Sequence, residues 1–223
     1  MNEKQFCFII CTNDELFLQE CLIYINDLYV PEGFTVDIIT IKEAASMAAG
    51  YNAAMGASDA KYKIYMHQDV FILNKYFLIN LLHIFHQNEN IGMIGMVGAP
   101  KLDDEAIMWK VSRVGNVITG STIHENYKSE LLEPEASLHS VKVIDGFLMA
   151  TSVDIPWREE LFDGWDFYDL SQSMEFSRRG YTLAVPDQKL PWCLHDDGVV
   201  LSLFNYNHYR KIFVKEYKEE YTR

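Results

Sequence analysis

Between residues 5 and 97 the chain alternates short apolar runs with segments of helical spacing, and no other feature limits its fold as sharply. Residues 5–11 (QFCFIIC), 35–41 (TVDIITI), 62–66 (YKIYM) and 91–97 (IGMIGMV) read as buried strands. Residues 14–28, 44–57 and 76–87 fall between them with apolar positions at helical intervals, such as Phe77, Leu78, Leu81, Leu82 and Phe85. The middle segment is so rich in Ala and Gly that its helix can lie very close to a sheet. Strand and helix alternating at this length predict an α/β fold, a mostly parallel central sheet with helices on both faces and right-handed crossovers.

Beyond residue 97 the pattern loosens. Residues 98–140 are polar and Gly-containing, with 115–120 (GNVITG) suited to a hairpin or loop, and a connection this long is often functional. Residues 141–151 (VKVIDGFLMAT) return to a buried strand, and 168–179 read as a helix ended by Gly180. A last helix, 201–221, carries Phe204, Tyr206, Tyr209, Phe213 and Tyr217 as an aromatic stripe. The expected organisation is one domain over residues 1–200 and a C-terminal amphipathic helix, 201–223, packed on it or in a homo-oligomer contact.

Hydrophobic residues at 49% and charged residues at 23% suit a folded globular chain. The net charge of -13 argues against nucleic acid or an anionic membrane surface as a partner. Cys7, Cys11, Cys21 and Cys193 form no CxxC pair, which suits reduced, buried thiols. The amino terminus runs into a strand with no basic leader, and no apolar run reaches the ~18 residues of a membrane span. A cytoplasmic protein is expected.

The third strand ends in His67-Gln68-Asp69. Side chains two apart on a strand share a face, so His67 and Asp69 are expected to project together with Gln68 turned away. The carboxyl edge of an open α/β sheet is where ligands sit, and an acidic protein handling a diphosphate gains positive charge most simply from a divalent cation. The structural alternative is a His and an Asp that hydrogen-bond backbone at a turn.

Further segments follow in order: VIDGFLM (143–149), LFDGWDFYDL (161–170), EFSRRGY (175–181) and WCLHDDG (192–198). With YMHQD (65–69) they resemble a family 2-type glycosyltransferase of the GT-A fold. The resemblance runs from Phe6 to about Gly198 and is nearest to the HQD/FYD branch, similar also to streptomycin-biosynthesis protein F-like domains. It implies transfer of a sugar from a nucleotide diphosphate sugar to a carbohydrate or other hydroxyl acceptor, with inversion, aided by Mn²⁺ or Mg²⁺.

Residue by residue, the resemblance implies that Asp69, His67 and His195 hold metal and that His67 also faces the donor. Asp169 matches the catalytic carboxylate, though with Gln172 it also fits a helix capping box. Thr12, Asn13, Asp14 and Asn52 are the implied donor-binding residues, and Lys42 is either a base contact or a solvated lysine. Asp145, Gly146, Trp165 and Trp192 are the implied sugar or acceptor contacts, with burial the other account of both tryptophans. Ser171 stands where the family has a second aspartate, so that carboxylate is absent. A non-catalytic sugar-binding module on the same fold is the second reading, and a nucleotidyl or phosphoryl transferase the third. No GxxxxGKS or GxGxxG phosphate loop is present.

Overall fold

β1 (Asn2–Thr12) is buried from Phe6 to Thr12, which requires neighbours on both edges and cover on both faces. The computed structural model describes residues 1–119, 137–198 and 203–222. α1 (Glu15–Asn26) leads from β1 to β2 (Thr35–Lys42), its first turn capped by the Asp14 carboxylate, which accepts the Leu16 and Phe17 amides. Such a cap contributes about 1 kcal/mol. α2 (Met47–Ala57), capped by Ser46, leads to β3 (Ala60–His67). It lies tight on the sheet, since a Cβ at Gly50 would sit 2.6 Å from Cys11 Sγ. β2 and β3 pair in parallel with β1 on its two edges.

β4 (Val70–Ile72) and α3 (Phe77–Gln87) follow, then β5 (Ile91–Gly95) and β6 (Val97–Ala99). After a 3₁₀ turn at Met108–Lys110 come β7 (Val114–Gly115), β8 (Ile118–Thr119), β9 (Leu138–Val141), β10 (Val143–Ile144) and β11 (Leu148–Thr151). α4 (Tyr168–Arg178), β12 (Thr182–Pro186), β13 (Cys193–His195) and α5 (Tyr206–Tyr221) complete the order. The main sheet has seven strands in the order β2-β1-β3-β11-β5-β12-β9. Parallel pairings join β2, β1 and β3, and also β5 and β12, while β11 and β9 run against their neighbours. Two three-stranded sheets, β10-β6-β7 and β4-β13-β8, lie beside it.

The predicted βα alternation is present through β5, and three expectations need correction. Of the hairpin or loop expected at 115–120, the described residues 115–119 make no hairpin: β7 pairs with β6 and β8 with β13, in different sheets. The apolar run 141–151 is not one strand but parts of β9, β10 and β11, interrupted at Asp145-Gly146-Phe147 where the chain leaves one sheet for another. The run 91–97 divides likewise between β5 and β6. In each case apolarity reported burial correctly but carried no register. The rest of the predicted loop (120–136) and the start of the last helix (201–202) lie outside the described residues.

α5 packs against α4 and buries Tyr209, Phe213, Tyr217 and Tyr221, with Tyr217 bonded to Ser171 and Glu175 of α4, Phe213 on Phe167 and Tyr209 on Phe162. Glu175 of α4, 5% exposed, accepts from Arg178, Arg179, Arg158 and the Tyr217 hydroxyl. Arg178 also pairs with Glu216 and Glu220 of α5, so the RRGY segment fastens the two helices together. Among the described residues no helix is long and apolar enough to cross a membrane.

Candidate active site

β3 ends at His67, and Gln68 and Asp69 form the turn into β4. His67 and Asp69 therefore meet across a turn rather than along a strand face. β13 pairs with β4 and brings His195 opposite Val70, so that His195 Nε2 lies 3.5 Å and His67 Nδ1 4.0 Å from Asp69 Oδ1. The ligand atoms of the three residues all lie within 4.8 Å of one another. Among the described residues Asp69 Oδ1 is buried with no hydrogen-bond partner. An orphaned carboxylate oxygen between two imidazoles is costly on its own and fits a cation.

The shifts of His67 and Asp69 agree with that fit, whereas that of His195 favours its protonated ring while no cation is bound. Burial and the adjacent His195 charge hold His67 down at about 4, against the pull of Asp69, so its ring is neutral at pH 7. For Asp69, burial pushes upward, but His195 and His67 outweigh it and keep the carboxyl below its usual range. His195 is raised: burial works against its charge, yet Asp69, Asp145 and Asp197 more than offset it. The Tyr168 hydroxyl lies 2.6 Å from His67 Nε2 and donates to the Gly146 carbonyl at 3.3 Å. A hydroxyl that donates to Gly146 would accept from Nε2–H, and in that tautomer the Nδ1 lone pair faces Asp69.

Gln68 is not turned away from the site. Its Oε1 accepts from the Thr12 hydroxyl at 2.7 Å and from the Asn13 and Asp14 amides at 3.0 and 2.9 Å, while its Nε2 donates to Asn13 Oδ1. It thereby ties the end of β3 to the loop after β1. The two segments border a cavity of about 370 Å³, lined among others by Thr12, Asn13, Glu43, His67, Asp69 and Trp165. Glu43 is held at φ 57°, a left-handed conformation that costs a non-glycine residue ~1–3 kcal/mol, at the cavity rim where β2 ends.

A second cavity of about 240 Å³ shares His67 and Trp165 with the first and contains Asp145, Gly146 and Asp169. Asp169 is in the first turn of α4, behind Phe167, whose φ of 62° turns the chain into the helix. The capping-box alternative does not hold: the Asp169 carboxylate accepts the Gly146 amide at 2.9 Å, and Gln172 donates instead to the Ile155 carbonyl. Glycine is required at 146, because a Cβ there would lie 2.8 Å from Asp169 Cβ and nearer still to the Tyr168 hydroxyl oxygen. Burial and the Asp145 charge push Asp169 up to about 7, against hydrogen bonds from the Leu170 and Gly146 amides. Asp145 is itself raised by burial.

Some implied residues lie elsewhere. Asn52 uses both ends of its amide on the Trp157 backbone, Asp14 caps α1, and Lys42 pairs with Glu15. Trp192 is fully buried, edge-on to Phe77, with no face for a sugar. Ser171 points at α5 and bonds the Tyr217 hydroxyl, so position 171 does not face the cleft. Sequence reasoning missed Gln68, Tyr168, Trp109, Arg113 and Tyr206, the last four all on the second cavity. Tyr168 alone carried a signal, as the neighbour of Asp169 in the FYD segment.

The sheet order, with β11 inserted antiparallel between β3 and β5, is that of the GT-A fold, and the polar residues cluster at the β3 end of its sheet. The sequence model described as "Glycosyltransferase like family" matches residues 7–217, and the chain belongs to that family. Its structure is similar to the mannosyltransferase PcManGT from Pyrobaculum calidifontis, in complex with GDP-Man and Mn²⁺. That match has a TM-score of 0.59 at 11% identity and covers 98% of this chain and 65% of the other. It is also similar to S. aureus TarS, with a TM-score of 0.58 at 12% identity over 96% of this chain and 40% of that one. TarS 1-349 in complex with UDP-GlcNAc gives a TM-score of 0.55 at 10% identity, over 96% and 66% of the two chains. The chain thus spans less than two thirds of each of these proteins, and at such identities the likeness is one of fold. Comparison with curated proteins gave no match.

Proposed function

We propose that the chain is a metal-dependent, inverting glycosyltransferase that moves a sugar from a nucleotide diphosphate sugar to an acceptor hydroxyl. The observation that carries this reading is the meeting of two cavities at His67 and Trp165, one bordered by the His67-Asp69-His195 cluster and the other holding Asp169. Nucleotide sugars bound by PcManGT and TarS 1-349 support the donor class.

In this reading the nucleoside diphosphate occupies the first cavity, with Thr12 and Asn13 towards the nucleotide. The sugar lies at the junction beside Trp165. Asp169 accepts the acceptor hydroxyl's proton while that oxygen attacks the anomeric carbon and the glycosyl–phosphate bond breaks. Attack from the second cavity on a bond whose leaving group lies in the first is a single displacement, which inverts the centre. One positioned base contributes roughly 10²–10⁴-fold in rate, most effectively when its pKa lies near the working pH, as about 7 does. His67, Asp69 and His195 are the residues that would hold a divalent cation, which supplies Lewis-acid neutralisation of the diphosphate charge when bound. Two imidazole donors favour Mn²⁺ over Mg²⁺. All four cysteines are free and buried, which supports a reducing, cytoplasmic setting.

The test is a panel of UDP, GDP and dTDP sugars with Mn²⁺, scored for transfer and for hydrolysis, comparing the parent with Asp169→Asn and Asp69→Ala. Turnover of at least one donor, lost in both variants, is expected. Nucleotide binding without turnover of any donor would overturn the reading in favour of a binding module, and cleavage of triphosphates alone would favour a nucleotidyl transferase.

A further inference from the structure

The chain has four tryptophans, and they divide sharply. Trp157 and Trp192 are 2% and 0% exposed, whereas Trp109 and Trp165 are 48% and 55% exposed. Both exposed rings line the cavity that holds Asp169. Single exposed apolar side chains are ordinary, but two large rings on the wall of one cavity form the kind of patch that marks a binding surface.

Trp109 is also fixed in place. Its ring packs on Tyr206 at 4.6 Å between centroids, and Tyr206 packs on Phe167 at 4.9 Å. A ring supported on one side and open on the other offers a preformed flat surface with little entropy left to lose. The negative face of an aromatic ring attracts the weakly positive C–H groups along one face of a pyranose.

The polar wall of the cavity completes the pattern. Among the described residues Asp145, Asp166 and Asp169 stand there with one cation, Arg113. Burial raises all three carboxyls above their ordinary range, so each pairs with a hydroxyl on a sugar's rim as acceptor when ionised and as donor when protonated. Every one that ionises adds negative potential, which penalises an anionic ligand.

We propose that the acceptor is a neutral sugar ring, stacked on Trp109 and hydrogen-bonded through its hydroxyls to the aspartates of this cavity, and that uronate and phosphorylated sugars are rejected. The proposal deepens the glycosyltransferase reading and rests on it.

Saturation-transfer NMR tests it on the full chain without any donor, using methyl glycosides of glucose, galactose and mannose beside glucuronate and glucose 6-phosphate. Saturation is expected on the C–H protons of at least one neutral glycoside, with affinity about tenfold weaker in Trp109→Ala and largely restored in Trp109→Phe. Circular dichroism of both variants establishes that they are folded. Saturation confined to the anionic sugars, no glycoside binding, or unchanged affinity in Trp109→Ala would each overturn the proposal. Donor turnover by a parent that binds no glycoside would overturn only the acceptor assignment. Trp109-dependent glycoside binding with no nucleotide sugar ever turned over would sink the transferase reading and leave a sugar site.

Discussion

The Tyr168 hydroxyl lies 2.6 Å from His67 Nε2, while the other nitrogen of that imidazole faces Asp69. One residue of α4 thus holds the ring of a candidate metal ligand, and its neighbour Asp169 is the candidate base. Tyr168→Phe removes that hydrogen bond without removing any ligand. Partners of this kind are worth 10–100-fold in metal affinity. Calorimetric titration with Mn²⁺ should show a loss of that order in Tyr168→Phe, a larger one in Asp69→Ala, and weakened nucleotide binding after chelation.

Asp169→Asn keeps an oxygen for the Gly146 amide but loses the base. A fall in kcat of roughly 10²–10⁴-fold is expected, with nucleotide affinity within a few-fold of the parent. Stopped assays paired with a direct nucleotide-binding measurement separate the two terms.

The pH dependence has a definite sign. A general base must be ionised, so kcat should rise as pH climbs through about 7, the value to which burial and Asp145 push Asp169. Asp145→Asn removes the repulsion and should move that limb to lower pH. Stability runs the other way: above the ordinary 3.8 the unfolded chain has released a proton that native Asp169 holds until about 7. Native stability from this group is lost as pH rises across that interval. Melting curves should therefore show Asp169→Asn gaining on the parent at pH 8 relative to pH 4.

Gln68→Ala leaves the Thr12 hydroxyl and two loop amides without their shared acceptor. A destabilisation of ~1–3 kcal/mol follows from groups left unpaired in a partly buried place. Because the loop after β1 borders the first cavity, the donor KM should rise as well, and urea unfolding with donor titration measures both.

Glu175→Ala strips the acceptor from three arginines and Tyr217 at the junction of α4 and α5. Breaking a buried pair in this way costs ~3–5 kcal/mol, towards the lower end here because the arginines are partly exposed. Glu175→Gln, which can still accept, should cost less, and denaturant midpoints read the difference.

Much of the first half was legible because apolar runs and helical spacing are local: β1, α1, β2, β3 and α3 all follow from patterns within a dozen residues. β11 was legible only as part of the apolar run 141–151 and β12 not at all, since their places are set by pairing with strands far away in sequence. The convergence of His67, Asp69 and His195 depended on β13 pairing with β4, information no tripeptide carries. Likeness to a family supplied their association in advance and pointed to Trp165, but not to the tether through Gln68 or the open face of Trp109. Trp192 was misjudged because a tryptophan's letter does not tell whether it lies under a helix or over a cleft.

The antiparallel seating of β11 between β3 and β5 also governs the order of assembly. β3 and β5 are synthesised within about the first hundred residues, yet the strand that joins them is not complete until Thr151. A nascent chain ending before β11 carries two apolar strand edges with no partner, the kind of surface that recruits other chains. Its pairings span long separations, so closure of the sheet is slow and late in folding. The cleft between the two cavities is accordingly complete only once β11 has been made, and fragments that stop short of β11 should aggregate rather than bind nucleotide.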